Sequence, residues 1–260
     1  MAGTVPRGWS AAHRNVGQRE TEAPPARSCN TPHVPLTTPV ANTWLVVPLY
    51  NEAPVIGDVV RQARAWFPHV VCVDDGSADD SAAQAEQAGA VVVRHPINLG
   101  QGAALQTGIT YVLEQTDARY VVTFDADGQH QVADVVAMVE LAEREDLAIV
   151  LGSRFLDRRT SMPALRRLVL KAVARMGSRR TGLRLTDAHN GLRVIRRDAA
   201  AQLRLTQNRM AHASEIVEQL AATGLPWREH PSHVLYTDYS RKKGQSLLNA
   251  VNILVELVFK

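Results

Sequence analysis

The sequence predicts an α/β domain on an open, mostly parallel (mixed) sheet with helices on both faces. Three observations carry that expectation. Short apolar runs alternate with helix-spaced segments about five times between Trp44 and Phe155. The runs are nearly continuous in Val, Ile and Leu, as strands covered on both faces must be. Polar clusters fall at the strand ends: Asn51 and Glu52, Asp74 and Asp75, Asp125 and Asp127, Ser153 and Arg154. Ligands of such sheets sit outside the carboxyl ends of the strands, so one edge is expected to gather most of the carboxylates.

The elements follow in order. "WLVVPLY" is a first strand, and "APVIGDVVRQARAWF" a helix with Pro54 in its first turn. "HVVCVDDGS" is a second strand ending in acids, with Ser77 placed to cap the helix in "ADDSAAQAEQAG". "AVVVRHP" is a third strand, "GQGAALQTGITYVLEQT" a third helix and "YVVTFDA" a fourth strand. "VADVVAMVELAERE" and "LAIVLGSRF" complete the alternation. Beyond Phe155 the pattern changes. A basic amphipathic helix, "RRTSMPALRRLVLKAVARMGSRRTG", is followed by a turn and strand, "NGLRVIRRD". Helices in "AAAQLRL" and "ASEIVEQLAATG", a strand in "WREHPSHVLY", a basic loop "YSRKKGQS" and an apolar helix "LLNAVNILVELVFK" end the chain. Residues 1–42, rich in Pro, Thr, Ala and Arg, read as a disordered extension.

Composition bounds the rest. The chain has 260 residues, enough to bury a full core, with 45% hydrophobic and 21% charged residues. A net charge of +3 and a pI near 9.1 suit an anionic small molecule or a phosphorylated lipid surface. That excess of base is too weak to indicate nucleic acid. Two cysteines, Cys29 and Cys72, make no disulfide framework, and Cys72 reads as a small buried hydrophobe. No run of about 18 apolar residues and no signal-peptide core is present, so a cytoplasmic location is expected.

The chemistry concentrates in "YVVTFDADGQH". Alternate residues of an extended segment point the same way, so oxygens of Asp125, Asp127 and Gln129 can converge on one hard cation, Mg²⁺ or Mn²⁺. The bland alternative is a solvated aspartate turn. His130 reads as a solvent-facing turn residue, with a fourth metal ligand as the alternative; His189 is equally ambiguous. "GQGAAL" lacks the third glycine of a dinucleotide fingerprint and follows no first strand.

Taken in order, "VVPLYNE", "VDDGSADDS", "NLGQGAALQTGI", "FDADGQH", "GSRF" and "TDAHNGLRVIRRD" resemble the family 2 glycosyltransferases of GT-A fold. The nearest group is the polyprenyl-phosphate (dolichyl-phosphate) hexose synthases, of mannose or glucose. The resemblance implies a catalytic domain over 43–260. Residues 43–155 would form the nucleotide-sugar and metal half, and 156–260 the acceptor half. It implies that Pro48, Tyr50, Asn51 and Glu52 line a nucleotide pocket, that Asp75 contacts the base and that Asp74 supports it. Asn98, Gly100 and Gly102 would lie beside the sugar nucleotide. Asp125, Asp127 and Gln129 would form the metal motif, with Asp125 and Ala126 also against the sugar nucleotide, and Arg154 would lie near the phosphates. Asp187 would face the donor sugar or acceptor, while Arg241 and Lys242 would close over phosphates. Asp127, Asp187 and Arg154 are thus the candidate catalytic residues. The chain departs from the family in reading "NGLR" where "SGFR" is usual, and in showing no membrane span; the helix over Leu247–Phe259 is a candidate anchor.

The implied reaction is a metal-dependent, inverting transfer of a hexose from a UDP- or GDP-sugar to a polyprenyl phosphate or another cell-envelope acceptor, with possible peripheral contact with the inner face of the membrane or a membrane partner. A leaving diphosphate must be neutralised as charge builds on it, by a metal with Arg or Lys. A hydroxyl acceptor needs a general base, for which Asp187 is the candidate; a phosphate acceptor is already ionised. The competing readings are a haloacid-dehalogenase-type phosphatase with Asp125 as nucleophile, a nucleotidyltransferase, and a non-catalytic nucleotide-sugar binding module.

Overall fold

A computed structural model describes residues 38–157, 183, 185–187, 190–208 and 211–235. All lie in the compact unit Leu36–Lys260. The seven strands are β1 (Thr43–Leu49), β2 (His69–Asp74), β3 (Val91–Arg94), β4 (Tyr120–Thr123), β5 (Ile149–Ser153), β6 (Arg193–Arg196) and β7 (Trp227–Pro231). They form one sheet in the order β3-β2-β1-β4-β6-β5-β7. β1 pairs in parallel with β2 and β4, and β2 with β3. β6 runs antiparallel between β4 and β5, while β5 and β7 are parallel. The expected mixed, mostly parallel sheet is the one observed.

The period of two along β1 divides the core. Leu45, Val47 and Leu49 face one layer with α1 (Thr38–Ala41), α2 (Ala53–Arg64), α3 (Ser81–Gln87) and α5 (Val132–Arg144). Val46 faces the other, with α4 (Gln101–Gln115), α6 (Arg197–Ala200) and α7 (His212–Ala222). Two layers of helix over one sheet explain why nearly every β1 position is apolar.

The chain leaves β1 outward to β2 and β3, then crosses back through α4 to β4 on the other side of β1. The order therefore reverses between β1 and β4. A crevice opens at such a switch point, beyond the carboxyl ends of both strands. Because β6 is antiparallel, it brings its amino end, Arg193, to that same edge: Arg193 pairs with Thr123 of β4 and Leu151 of β5.

Four expectations are corrected. Residues 38–41 form α1, and Val40 enters the core at 2% exposure, so the composition of the extension misassigned the last residues before β1. Ser77 caps no helix: its Oγ accepts the Asn51 N–H at 2.9 Å, and Asp80 begins α3 without a side-chain cap. "AAAQLRL" gives only the end of the four-residue α6 before the chain extends along 203–208, where Glu215 accepts the N–H groups of Thr206 and Gln207. The strand in "WREHPSHVLY" ends at Pro231, with a single further bridge from Val234 to His130. Pro54 does lie in the first turn of α2, and Cys72 is fully buried, its thiol pushed up to about 12 by burial. Cys29, most of 1–42, the basic helix after Phe155, His189, the "YSRKKG" loop and the helix over Leu247–Phe259 lie outside the described residues.

Gly108 marks how closely α4 sits on the sheet. A Cβ there would lie 2.3 Å from Val46 Cγ1 and 3.1 Å from Val73 Cγ2. Alanine improves helix propensity by about 1 kcal/mol, but overpacking a closed core costs about 1–3 kcal/mol. The clash is with branched, fully buried side chains, so it wins. Gly108→Ala is expected to lower stability by about 1–2 kcal/mol, measured as a leftward shift of the urea midpoint at unchanged slope.

Candidate active site

The switch-point crevice is a cleft of about 610 Å³. Its walls come from four strand ends and the loops after them: Pro48, Tyr50 and Glu52 after β1, Asp75 after β2, Asp125 and Asp127 after β4, and Arg154 after β5. Gly100, Asn98 and Ala126 also line it, as do Gln129, His130, Asn190, Gly191, Arg193 and His212. Among the expected site residues, Asn51, Asp74, Gly102 and Asp187 stand behind the wall, and Arg241 and Lys242 lie outside the described residues.

At the first-strand corner the chain turns sharply. Asn51 adopts a left-handed φ of 52°, which asparagine tolerates better than most residues. Two exchanged bonds hold it: Ser77 Oγ accepts its N–H, and its Oδ1 accepts the Ala78 N–H at 2.9 Å. The next N–H groups, of Glu52 and Ala53, donate to Ser81 Oγ at 2.7 Å and Asp79 Oδ2 at 3.1 Å. The loops after β1 and β2 are thereby one unit. Asp74 supports it by accepting the Ser77 N–H at 3.1 Å.

Asp75, 3% exposed, faces the cleft but is heavily engaged. Its Oδ1 accepts the Leu99 N–H at 2.9 Å, and its Oδ2 the Gly100 N–H at 2.7 Å. His95 Nδ1 lies 2.8 Å from Oδ1, and His95 Nε2 lies 2.9 Å from Thr107 Oγ1. A carboxylate can only accept, so Nδ1 carries the proton toward Asp75, and the ring bridges Asp75 to Thr107. Asp75 thus fixes the 98–102 turn as well as the corner. Gly100 (φ 102°) is required there, because a Cβ would lie 2.1 Å from the Asn208 carbonyl oxygen.

The two motif aspartates differ. Burial pushes the Asp125 carboxyl up, but the hydrogen bond from His130 and the charges of His130, Arg193 and His212 outweigh it and hold it below the usual range. His130 Nε2 sits 2.9 Å from Asp125 Oδ2, and Gln101 Nε2 donates to Oδ1 at 3.3 Å. Burial and the neighbouring Asp125 charge push Asp127 up to about 6. An ionised Asp125 beside an Asp127 of raised proton affinity, both facing a cleft, fits a divalent cation with positions left for substrate oxygens. No group of three His, Cys, Asp or Glu side chains among the described residues is gathered to hold a metal by itself. Gln129 lines the same cleft and donates its backbone N–H to Asp127 Oδ1 at 3.0 Å.

His130 is 8% exposed and pairs with Asp125, so the solvent-facing reading is wrong: the bridge to Val234 folds the turn inward. Asp187 is 4% exposed and binds Arg154 in a two-pronged pair, Nε to Oδ2 at 2.6 Å and Nη2 to Oδ1 at 2.7 Å. It also accepts the Arg154 backbone N–H at 3.1 Å. This geometry makes Asp187 the residue that aims Arg154; it does not line the cleft. Glu229 in turn accepts the Thr186 and Asp187 N–H groups at 2.8 and 3.1 Å.

His95, Gln101, Asn190, Gly191, Arg193 and His212 had not been singled out as site residues. The glycine in "NGLR" was a visible signal. A Cβ on Gly191 would lie 2.2 Å from Asp125 Oδ2, so the aspartate rests on a bare backbone. His95 and His212 had no local signal, since their partners are distant in sequence.

Gly191→Ala is expected to displace the Asp125 carboxylate. Manganese-dependent nucleotide binding should weaken about tenfold or more, by loss of ligand geometry, while circular dichroism stays that of the folded protein. Mn²⁺ held at Asp127 would compete with a proton there. Affinity, followed by electron paramagnetic resonance, should be constant above about pH 7 and fall as pH drops through about 6. Asp127→Asn should abolish both the binding and its pH dependence.

Comparison with known proteins places these features. Residues 44–204 match the model for glycosyl transferase family 2. An uncharacterized protein of Methanocaldococcus jannaschii is 32% identical over 84% of this chain and 91% of its own length. The UDP-N-acetylglucosamine–dolichyl-phosphate N-acetylglucosaminyltransferase of Methanococcus voltae is 26% identical over 83% of this chain and 94% of its own. Several further relatives, including transferases named for undecaprenyl and dodecaprenyl phosphate, are longer, and the chain spans 55% to 65% of their length. Glucosyl-3-phosphoglycerate synthase from Mycobacterium tuberculosis, solved with Mn²⁺, UDP and glucosyl-3-phosphoglycerate, superposes with a TM-score of 0.53. It is 19% identical and covers 77% of this chain and 74% of its own, a likeness of fold. The match over most of the sheet leaves no place for the phosphatase reading of Asp125: the chain belongs to glycosyl transferase family 2, with the GT-A arrangement of sheet and cleft.

Proposed function

We propose that the protein transfers a sugar from a nucleotide diphosphate sugar to a polyprenyl phosphate, with inversion, using Mg²⁺ or Mn²⁺ at Asp125 and Asp127. The observation that carries this reading is the single cleft in which the Asp125–Asp127 pair lies between the Asp75 corner and two arginines, Arg154 and Arg193. The relatives named for dolichyl, undecaprenyl and dodecaprenyl phosphate support the acceptor class.

The donor's nucleoside lies between Pro48, Tyr50 and the 98–100 turn, against Asp75. Its diphosphate faces Asp125 and Asp127. A divalent cation bound there supplies neutralisation of the charge that collects on the leaving diphosphate. Arg154, held rigid by Asp187, presents a second positive charge that needs no reorganisation during the reaction. An acceptor phosphate oxygen forms the new bond to the anomeric carbon while the bond from that carbon to the β-phosphate oxygen breaks. The electron pair leaves with the nucleoside diphosphate. The acceptor oxygen is already ionised near neutral pH, so no base is required, in keeping with the engagement of Asp187 by Arg154. Among the described residues no helix is long and apolar enough to cross a membrane. A lipid acceptor would be met at a membrane surface, which we place on the cytoplasmic face.

Titration calorimetry of UDP and GDP, with and without Mn²⁺, tests the donor half. One of the two is expected to bind, and only with metal. The matching radiolabelled sugar nucleotides, offered with a polyprenyl phosphate, should then label the lipid. Nucleotide binding without transfer to the lipid would leave the non-catalytic binding-module alternative standing. Arg154→Ala is expected to cut turnover by about 10²-fold or more, as removal of a preorganised charge does, measured by initial rates of lipid labelling.

A further inference from the structure

The strand order acts as a ruler across the cleft. Adjacent strands are about 4.8 Å apart. Asp75 follows β2, the aspartate pair follows β4, Arg193 begins β6 and Arg154 follows β5. A donor with its base at Asp75 and its diphosphate at the pair reaches its sugar one strand further on, at β6. Whatever meets that sugar meets Arg193.

Arg193 is 2% exposed and lines the cleft. A guanidinium has five N–H donors. Among the described residues its side chain makes a single hydrogen bond, a long one of 3.3 Å from Nη1 to the Gly191 carbonyl. Asp125 and Asp187 act on it electrostatically, yet neither accepts a hydrogen bond from it. Burial lowers its pKa only to about 10, so it remains charged. Beside it, Asn190 is 5% exposed and lines the same wall. Its Oδ1 accepts the Leu192 N–H at 2.9 Å, but its buried Nδ2 has no partner among the described residues.

A buried amide N–H without an acceptor is costly and rare, and Arg193 on the same wall has donors to spare beside it. A simple counter-charge for Asp125 and Asp187 would be expected to hydrogen-bond one of them, and it would not account for Asn190. An anion arriving with substrate accounts for both. The diphosphate already has the aspartate pair as its place, one strand away. We infer that Arg193 and Asn190 Nδ2 seat a phosphomonoester carried by the acceptor. The assignment rests on the transferase reading above and adds the residues that recognise the acceptor's charge.

The test uses the full chain with Mn²⁺, the sugar nucleotide whose base it binds, and three acceptors: farnesyl phosphate, farnesol and 3-phosphoglycerate. Arg193→Lys keeps the charge but loses the planar fork; Asn190→Ser keeps an acceptor for Leu192 and replaces the amide NH2 with a shorter hydroxyl that reaches less far into the cleft. Each is expected to raise the KM for farnesyl phosphate, about tenfold for Asn190→Ser and more for Arg193→Lys, as loss of charge-assisted bonds does. The Kd for the nucleotide, read by calorimetry on the same samples, should change less than about twofold and certifies that the variants are folded. Unchanged KM in both variants, or nucleotide affinity weakened in parallel, would overturn the assignment. So would equal use of farnesol by the unaltered protein, with the transferase reading intact. Transfer only to 3-phosphoglycerate, with the same KM effects, would keep the phosphate seat and remove the lipid. If the unaltered protein binds neither UDP nor GDP, the transferase reading itself fails and takes this assignment with it.

Discussion

The gathering of like charge at one edge of one sheet is the constraint on which the rest of the molecule depends. Parallel strands all end at the same edge, so acids placed at their tips must meet. Glu52, Asp75, Asp125 and Asp127 line one cleft. Coulomb repulsion between partly buried carboxylates is worth several kcal/mol at a few ångströms, against a folding stability of about 5–15 kcal/mol. The fold survives because positive groups arrive from elsewhere. β6, reversed within the sheet, delivers Arg193 to the edge, and Arg154 follows β5. Burial, together with what repulsion remains, appears as the raised proton affinity of Asp127.

A second theme is how little of the cleft is free to move. The loops after β1 and β2 exchange hydrogen bonds through Asn51, Ser77, Asp79 and Ser81. Asp75 ties the 98–102 turn to the same corner, and His95 braces Asp75 against α4 through Thr107. On the far side Glu229 orders the backbone of 186–187, Asp187 orders Arg154, and the Thr123 hydroxyl donates to the Gly191 carbonyl at 2.6 Å. Asp75, Asp125 and Arg154 are thus each backed by a buried or nearly buried side chain: His95, His130 and Asp187. Such support lets fixed dipoles and charges act on a reacting diphosphate without first reorganising.

Under the proposed function the same layout would divide the cleft into a donor side and an acceptor side. β1 and β2 carry the Asp75 corner, β4 carries the aspartates, and β6 and β5 carry the two arginines. Polarity along the cleft, acids first and guanidinium groups beyond, is a direct consequence of the strand order. It explains why the motif replaced in this chain, "NGLR", matters: Asn190, Gly191 and Arg193 all line the wall where the two substrates would meet.

The sequence by itself determined the alternation of strands and helices, the acidic tips and the family pattern. These are local properties: apolar run length, helical spacing, and short motifs whose members are neighbours in the chain. Pro48, Tyr50, Glu52, Asp75, Asn98, Gly100, Asp125, Asp127, Gln129 and Arg154 were legible as cleft residues for that reason. Tertiary structure decided the rest. It folded His130 inward, drew α1 into the core, left Ser77 bonded to a loop rather than a helix, and engaged Asp187 with an arginine. His95 acts on Asp75, 20 residues away, and Arg193 and His212 act on Asp125, 68 and 87 residues away. No periodicity encodes such pairings, because they exist only once the crossover through α4 and the reversal of β6 have brought the strand ends to one edge.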